Sequence, residues 1–211
     1  MKCVNSSPPV GYRISSRYKT TTGKMRAILY LGSILLWALF GWISLYLASA
    51  VRPEFNSYEL INRFLESSYV SQLKVGVLCI LALILLGCVH EGIHGTFLWI
   101  FSHRRPSFGC KGFNPYAALA PGAFCNRSQA ILCTLAPLFI ITILGGIASP
   151  YVPTEVIPIL LFAVFSNAAI SISDLVQSFW LLSRKRDILF GFDGVSSVVY
   201  EPADATKLYD A

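Results

Sequence analysis

The chain has 211 residues, of which 55% are hydrophobic and 13% are charged, whereas an average soluble domain carries about 25% charged residues. This composition excludes an ordinary soluble domain and indicates a protein that spans the lipid bilayer. The formal net charge of +6 does not indicate a nucleic-acid partner, because the basic residues lie in short segments beside apolar runs, where they set membrane topology.

The first part of the chain predicts a tail followed by a membrane helix. Residues 1–24 are basic, rich in Ser and Thr, and without apolar periodicity, which predicts a flexible cytoplasmic tail. The apolar run 25–50 is long enough to cross a hydrocarbon core of about 30 Å. Ala48-Ser49-Ala50 resembles a signal-peptidase site, but the apolar stretch is longer than the core of a signal peptide, so we expect an uncleaved anchor. The mixed segment 51–71 predicts either a short amphipathic helix at the outer interface or a solvated connection.

The second apolar run, 75–101, contains the motif His90-Glu91-Gly92-Ile93-His94. Histidines four residues apart on a helix lie on one face, one turn apart, so both can bind a single Zn²⁺ ion. The glutamate between them can act as the general base that takes a proton from water. The motif has only three fixed letters and occurs by chance, but ionisable groups inside a membrane span cost about 2.5 to 3.5 kcal/mol each. That cost favours a functional role, and we predict His90 and His94 as metal ligands and Glu91 as the base.

The next segment, 106–128, is rich in Gly and Pro, which predicts turns with one or two short strands. It follows the motif helix directly, so it either covers the site, offers an edge to an extended peptide, or is an ordinary connection. The third span is predicted over 129–148 and the fourth over about 156–182, followed by a cytoplasmic tail over 183–211. The expected fold is therefore an all-α membrane protein with four transmembrane helices and a short strand or turn segment between the second and third.

The distribution of basic residues predicts the orientation of these spans. With four spans and the N-terminus inside, only Arg52, Arg63 and Lys74 of the 17 Lys and Arg residues lie outside. Because basic residues accumulate in cytoplasmic segments, we expect a multi-pass membrane protein with both termini in the cytoplasm.

A third metal ligand is expected, because a catalytic zinc site usually has three protein ligands and one open position. Asp174 is the single charged residue of the fourth predicted span. It lies ten residues before Arg184, as His94 lies ten residues before Arg104, so each is about 15 Å from the inner basic flank along its helix. Side-by-side packing of the second and fourth spans would bring Asp174 level with His94.

Two further polar residues share the helix face of Asp174. Asn167 and Ser171 lie seven and three residues before it, and either can bind substrate or hydrogen-bond to a ligand. The alternative for both is a hydrogen bond that packs one helix against another.

At these residues the chain resembles a family of membrane-embedded zincin peptidases and, more distantly, the site-2 proteases. The resemblance covers residues 78–182 and rests on the motif at 90–95, the segment 116–121, Arg127, Ala136-Pro137, and the segment from Asn167 to Leu175. It implies that Asp174 is the third ligand beside the two histidines, with Glu91 as the base. Site-2 proteases carry Asn-x-x-Pro and Leu-Asp-Gly at this position, and this chain lacks that proline and that glycine.

These observations predict a zinc metallopeptidase domain over 25–182 that holds one Zn²⁺ ion and hydrolyses peptide bonds in a membrane protein or peptide substrate. One alternative is a scaffold whose histidines only join helices. Another is a metal or proton transporter that uses the same polar cluster as a relay. The sequence has no second polar cluster across the membrane and no internal repeat of the kind found in many transporters.

Overall fold

The protein is described by a computed structural model that covers residues 8–18, 23–52, 54–111, 114–194 and 196–203. The predicted tails, 1–24 and 183–211, therefore lie partly outside the described residues. The described chain is mostly helical. Its helices are α1 Gly23–Val51, α2 Ser57–Glu66, α3 Tyr69–Ser102, α4 Arg127–Ala148, α5 Ile157–Ile170 and α6 Ile172–Leu182.

Four helical segments are long and apolar enough to cross a membrane, namely α1, α3, α4 and the pair α5 and α6 over Ile157–Leu182. These four segments correspond to the four spans that the sequence predicts, and they support the interpretation of the chain as a membrane protein. Large apolar side chains on α1 and α3, such as Leu35 and Leu85, are 70% and 65% exposed. Exposed apolar surface of this extent suits contact with lipid. The segment between α1 and α3 contains the short helix α2, whose N-terminus is capped by the Asn56 side chain.

The strands correct the predicted fold. They are β1 Tyr12–Arg17, β2 Ser107–Lys111, β3 Asn114–Ala118, β4 Cys125–Asn126, β5 Leu189–Phe192 and β6 Ser197–Pro202. β2 and β3 form an antiparallel hairpin between the second and third spans, where the sequence predicts strands or turns. The all-α prediction is confirmed only in part: the described chain is mostly helical, but β1, β6, β5 and β4 also form a four-stranded antiparallel sheet in that order. β1 lies within the segment predicted to be a flexible tail, and it pairs Tyr12 with Pro202 near the other end of the chain.

The contacts of the chain divide it into two compact units. The first consists of Met1–Arg26, Glu91–Ala136 and Ser173–Ala211. Its core joins the four-stranded sheet to parts of α3, α4 and α6, through fully buried residues such as Cys125, Leu181 and Val199. The C-terminal end of α6 is fixed by Arg127, whose guanidinium donates to the main-chain carbonyl of Arg184 at 2.6 Å. Arg127 also reaches the carbonyl of Leu182, the last residue of α6, at 3.5 Å, and the last carbonyls of a helix have no partner within it.

The second unit consists of Ala27–His90 and Pro137–Ile172. Its core contains Ala48, Phe55, Ile157 and Leu161. Arg52, just after α1, donates to the main-chain carbonyl of Val152 at 3.0 Å and so joins α1 to the turn between α4 and α5. The buried polar residues of this unit include His90 and Asn167, which are 4% and 0% exposed.

Candidate metal centre

The motif residues lie on one continuous helix, α3, as their spacing requires. One possible ligand atom from each of His90, Glu91 and His94 lies within 4.8 Å of the other two. Both histidines are buried, and Glu91 is half-buried. The helix therefore gathers two imidazole rings and a carboxylate in a region of largely apolar sequence.

The orientation of the His94 ring is defined by a main-chain acceptor on α4. Nδ1 of His94 lies 2.9 Å from the carbonyl oxygen of Cys133. A carbonyl oxygen only accepts hydrogen bonds, so Nδ1 must carry the proton and donate it. The other ring nitrogen, Nε2, is then the atom available to bind a metal.

Nε2 of His94 faces Asp174, the acid of the fourth span. The distance between Nε2 and Oδ2 of Asp174 is 3.5 Å. Two ligands of a tetrahedral zinc ion, each bound at about 2.0 to 2.1 Å, lie about 3.4 Å apart. A neutral imidazole nitrogen and a carboxylate oxygen are both acceptors, so a cation or a proton is needed between them. The residues at this position therefore fit a zinc ion in both spacing and ligand chemistry.

Asp174 lies where the fourth span changes from one helix to another. α5 ends at Ile170, Ser171 forms a single turn residue, and α6 begins at Ile172 with Asp174 in its first turn. The side chain of Asp174 is 16% exposed. A carboxylate in the first turn of a helix is stabilised by the main-chain N–H groups at the helix N-terminus.

The His90 ring has its own fixed partner, Asn167 on α5. Nδ1 of His90 lies 2.9 Å from Oδ1 of Asn167, and the Asn167 amide nitrogen donates to the carbonyl of Pro137 at 3.1 Å. Since that carbonyl only accepts, the amide group of Asn167 must face it, and the Asn167 oxygen must face His90. Nδ1 of His90 is therefore the donor, and Nε2 is again the atom available for a metal. Asn167 thus bonds to both α3 and α4, which fits a hydrogen bond to a ligand and helix packing alike, so its role stays a prediction.

The hydroxyl of Ser171, the other polar residue on this face, donates to the main-chain oxygen of Asn167 at 2.8 Å. Ser171 is fully buried. This bond lies within one turn of the chain, at the boundary between α5 and α6, and the contact with substrate or a ligand predicted for Ser171 stays a prediction.

The carboxylate of Glu91 is held by the hairpin that follows the motif helix. The main-chain N–H of Ala117 in β3 donates to Oε2 of Glu91 at 2.7 Å. The hairpin also packs on α3 at Gly95, where an added Cβ would lie 2.3 Å from the ring of Phe108 in β2. Gly95 therefore permits the close approach that brings β3 beside Glu91.

Two groups near the centre were missed by the sequence analysis. One is the main-chain carbonyl of Cys133, which has no side-chain signature. The other is Tyr18, whose pKa is raised to about 12, first by burial and then by the charge of Asp174. Among the described residues the buried hydroxyl of Tyr18 has no hydrogen-bond partner. Tyr18 directly follows β1, in a segment predicted to be a tail, so only long-range strand pairing explains its position.

A comparison with models of protein families finds a match. The model of a protein family described as "Putative zincin peptidase" matches residues 83–189, which is half of the chain. The matched region contains the α3 motif, Asn167 and Asp174. No curated protein and no solved structure is significantly similar to this chain. The similarity to site-2 proteases is therefore not shown by these comparisons.

Proposed function

The chain belongs to this zincin peptidase family, and on that premise we propose that it is a membrane-embedded zinc metallopeptidase. The observation that carries the proposal is the pairing of His94 Nε2 with Asp174 Oδ2 at 3.5 Å. This pairing supplies an acidic partner from a second span to the two-histidine motif. Three protein ligands and an open position are the usual composition of a catalytic zinc site.

In the proposed site, His90, His94 and Asp174 hold one Zn²⁺ ion. Asn167 and the Cys133 carbonyl accept from the Nδ1 atoms of the two rings, so each ring keeps its Nε2 lone pair for the metal. Hydrogen bonds of this kind to metal-binding histidines fix the ring and raise its basicity. The proposed ligand set is therefore supported on each imidazole by a separate acceptor.

The proposed reaction is the hydrolysis of a peptide bond. A bound Zn²⁺ ion acts as a Lewis acid toward the carbonyl group and makes water more acidic. Glu91 takes a proton from the attacking water, whose oxygen bonds to the carbonyl carbon. When the C–N bond breaks, Glu91 delivers that proton to the leaving nitrogen. The bond from the Ala117 N–H fixes the Glu91 carboxylate in position for both proton transfers.

The proposed substrate is a membrane protein or peptide that lies extended beside β3. In the described chain β3 pairs with a strand on one side only, because its sheet has two strands. The N–H of Ala117 points away from β2 toward Glu91, so this edge of β3 lies beside the general base. An extended peptide can add to such an edge through main-chain hydrogen bonds. Pro115 in β3 agrees with an edge position, since proline is confined to edges and strand ends in sheets.

We place the site in the cytoplasmic half of the bilayer with both chain termini in the cytoplasm. This orientation is supported by the basic residues, of which only Arg52, Arg63 and Lys74 lie in the proposed outer segments. His94 and Asp174 lie about 15 Å from the basic ends of their spans.

The test is Glu91→Gln, which keeps the size of the side chain and an oxygen that can accept from Ala117. We expect the variant to retain zinc and to cleave at least 100-fold more slowly, since a general base contributes about 10² to 10⁴ in rate. Cleavage is measured in detergent micelles on a proteome-derived peptide library, with new N-termini identified by mass spectrometry. Glu66→Gln, at the exposed end of α2, is the matched control. Cleavage by Glu91→Gln at the wild-type rate would exclude the proposed base, and loss of zinc would make Glu91 a ligand instead. A scaffold would lose no function in this variant.

A further inference from the structure

The third span contains a buried proline in its interior. Pro137 lies ten residues into α4 and is less than 2% exposed. Proline has no main-chain N–H, so it cannot donate to the carbonyl four residues earlier, and its ring pushes that carbonyl away from the helix axis. In α4 this carbonyl belongs to Cys133.

The Cys133 carbonyl therefore needs a hydrogen-bond donor from outside its helix. Cys133 is 4% exposed, and a buried carbonyl without a hydrogen bond is costly. The donor that reaches it is Nδ1 of His94, at 2.9 Å. The thiol of Cys133 in turn lies 3.5 Å from the main-chain oxygen of His94, so the two residues contact each other twice.

We propose that Pro137 is a positioning residue for the metal centre: by withholding a main-chain donor it reserves the Cys133 carbonyl for His94. This inference rests on the proposed function, because it concerns the same zinc site. A non-proline residue at 137 would supply an N–H that competes with the imidazole for the Cys133 carbonyl. The His94 ring could then rotate, and Nε2 would no longer be held toward Asp174.

The Pro137 carbonyl supports the other histidine, His90, through Asn167. It accepts from the Asn167 amide at 3.1 Å, which turns the Asn167 oxygen toward Nδ1 of His90. The carbonyls of residues 133 and 137, one turn apart on α4, thus support two histidines that are one turn apart on α3. Substitution of Pro137 leaves its own carbonyl in place, so the effect is expected at His94.

The experiment compares two replacements of Pro137 in the full-length protein. Pro137→Ala introduces the competing N–H. Lactic acid at the same position is the ester analogue of alanine, with the same side chain and no N–H. Zinc affinity is measured by competition with a chelator, and the Nδ1 proton of His94 is observed by NMR in the zinc-loaded, ¹⁵N-histidine-labelled protein. Pro158→Ala is the matched control, because Pro158 lies at the start of α5, where a helix leaves the N–H unbonded in any case.

We expect Pro137→Ala to weaken zinc binding about 10- to 100-fold, the usual effect of removing support from a metal-binding histidine, and to lose the slowly exchanging His94 proton. The lactic acid variant and Pro158→Ala should keep the wild-type affinity and the proton signal. Wild-type affinity in Pro137→Ala would overturn the inference. Equal loss in the alanine and lactic acid variants would also overturn it, because the ring and not the missing N–H would then matter. If the wild type itself binds no zinc, the proposed function fails first, and this inference fails with it.

Discussion

The Nε2 atom of His94 and the Oδ2 atom of Asp174 lie 3.5 Å apart, although they belong to different helical segments that are each long and apolar enough to span a membrane. His94 is four residues from His90 on α3, and Asp174 is in the first turn of α6. The Nδ1–H group of His94 donates a hydrogen bond to the buried Cys133 carbonyl. Nε2, which faces Asp174, therefore carries a lone pair when the ring is neutral. Two acceptors at this spacing fit a shared zinc ion. The ligand roles of His90, His94 and Asp174 are predictions that the following experiments test.

Asn167→Ala should weaken zinc binding about 10- to 100-fold, because His90 loses the acceptor that fixes its ring. Within the described residues the Ser171 hydroxyl bonds only to the main chain of its own segment, so the zinc affinity of Ser171→Ala should stay within about twofold of wild type. Chelator competition on the purified variants gives both values. An unchanged affinity in Asn167→Ala would mean that Asn167 packs helices together and does not support a ligand.

Gly145→Ala should destabilise the protein by about 1 to 3 kcal/mol, the usual cost of overpacking. A Cβ at Gly145 would lie 2.3 Å from a methyl group of Val164 on α5, and a β-branched side chain has little freedom to move aside. Gly146→Ala is the matched control, since a Cβ there meets nothing within 4 Å, and it should leave stability unchanged or slightly raised. Thermal unfolding in detergent measures both. Equal stability in the two variants would contradict the close packing of α4 on α5.

Cys125 should resist alkylation in the folded protein, whereas Cys110 should react. Burial, and secondarily the neighbouring Cys133, raises the pKa of the Cys125 thiol to about 12, and only the thiolate is nucleophilic. Raising the pH from 7 to 9 remains well below that pKa, so Cys125 should stay unmodified over this range. Cys110 in β2 is exposed. Peptide mapping after maleimide treatment identifies the modified thiols, and detergent denaturation should make Cys125 reactive. Rapid modification of Cys125 before denaturation would contradict its place in the core of the first unit.

The sequence predicts the helices of this protein well because their signals are local. Four long apolar runs give four spans, and the spacing of His90 and His94 places both rings on one helix face. The expectation that Asp174 lies level with His94 comes from counting residues to the basic end of each predicted span. Each of these inferences uses residues close together in the chain.

The parts that the sequence analysis missed depend on contacts between distant segments. β1 is a strand because β6 pairs with it, and neither segment predicts that pairing by itself. The hydrogen bond from Ala117 to Glu91 uses a main-chain group, and main-chain groups are the same at every residue except proline. Pro137 is the sequence feature that marks the Cys133 carbonyl as lacking its usual donor within α4. The break at Ser171 has no Pro or Gly that would mark it.

The measurement that tests the central claim most directly is the zinc content of the purified wild type beside His94→Ala and Asp174→Ala. His103→Ala and Asp187→Ala are the matched controls, because both residues are exposed in the segments that follow the spans. We expect about one zinc ion per chain in the wild type and in both controls, and a large loss of zinc in each of the two site variants. Equal zinc in all five proteins would contradict the site, because neither the imidazole of His94 nor the carboxylate of Asp174 would then hold the metal.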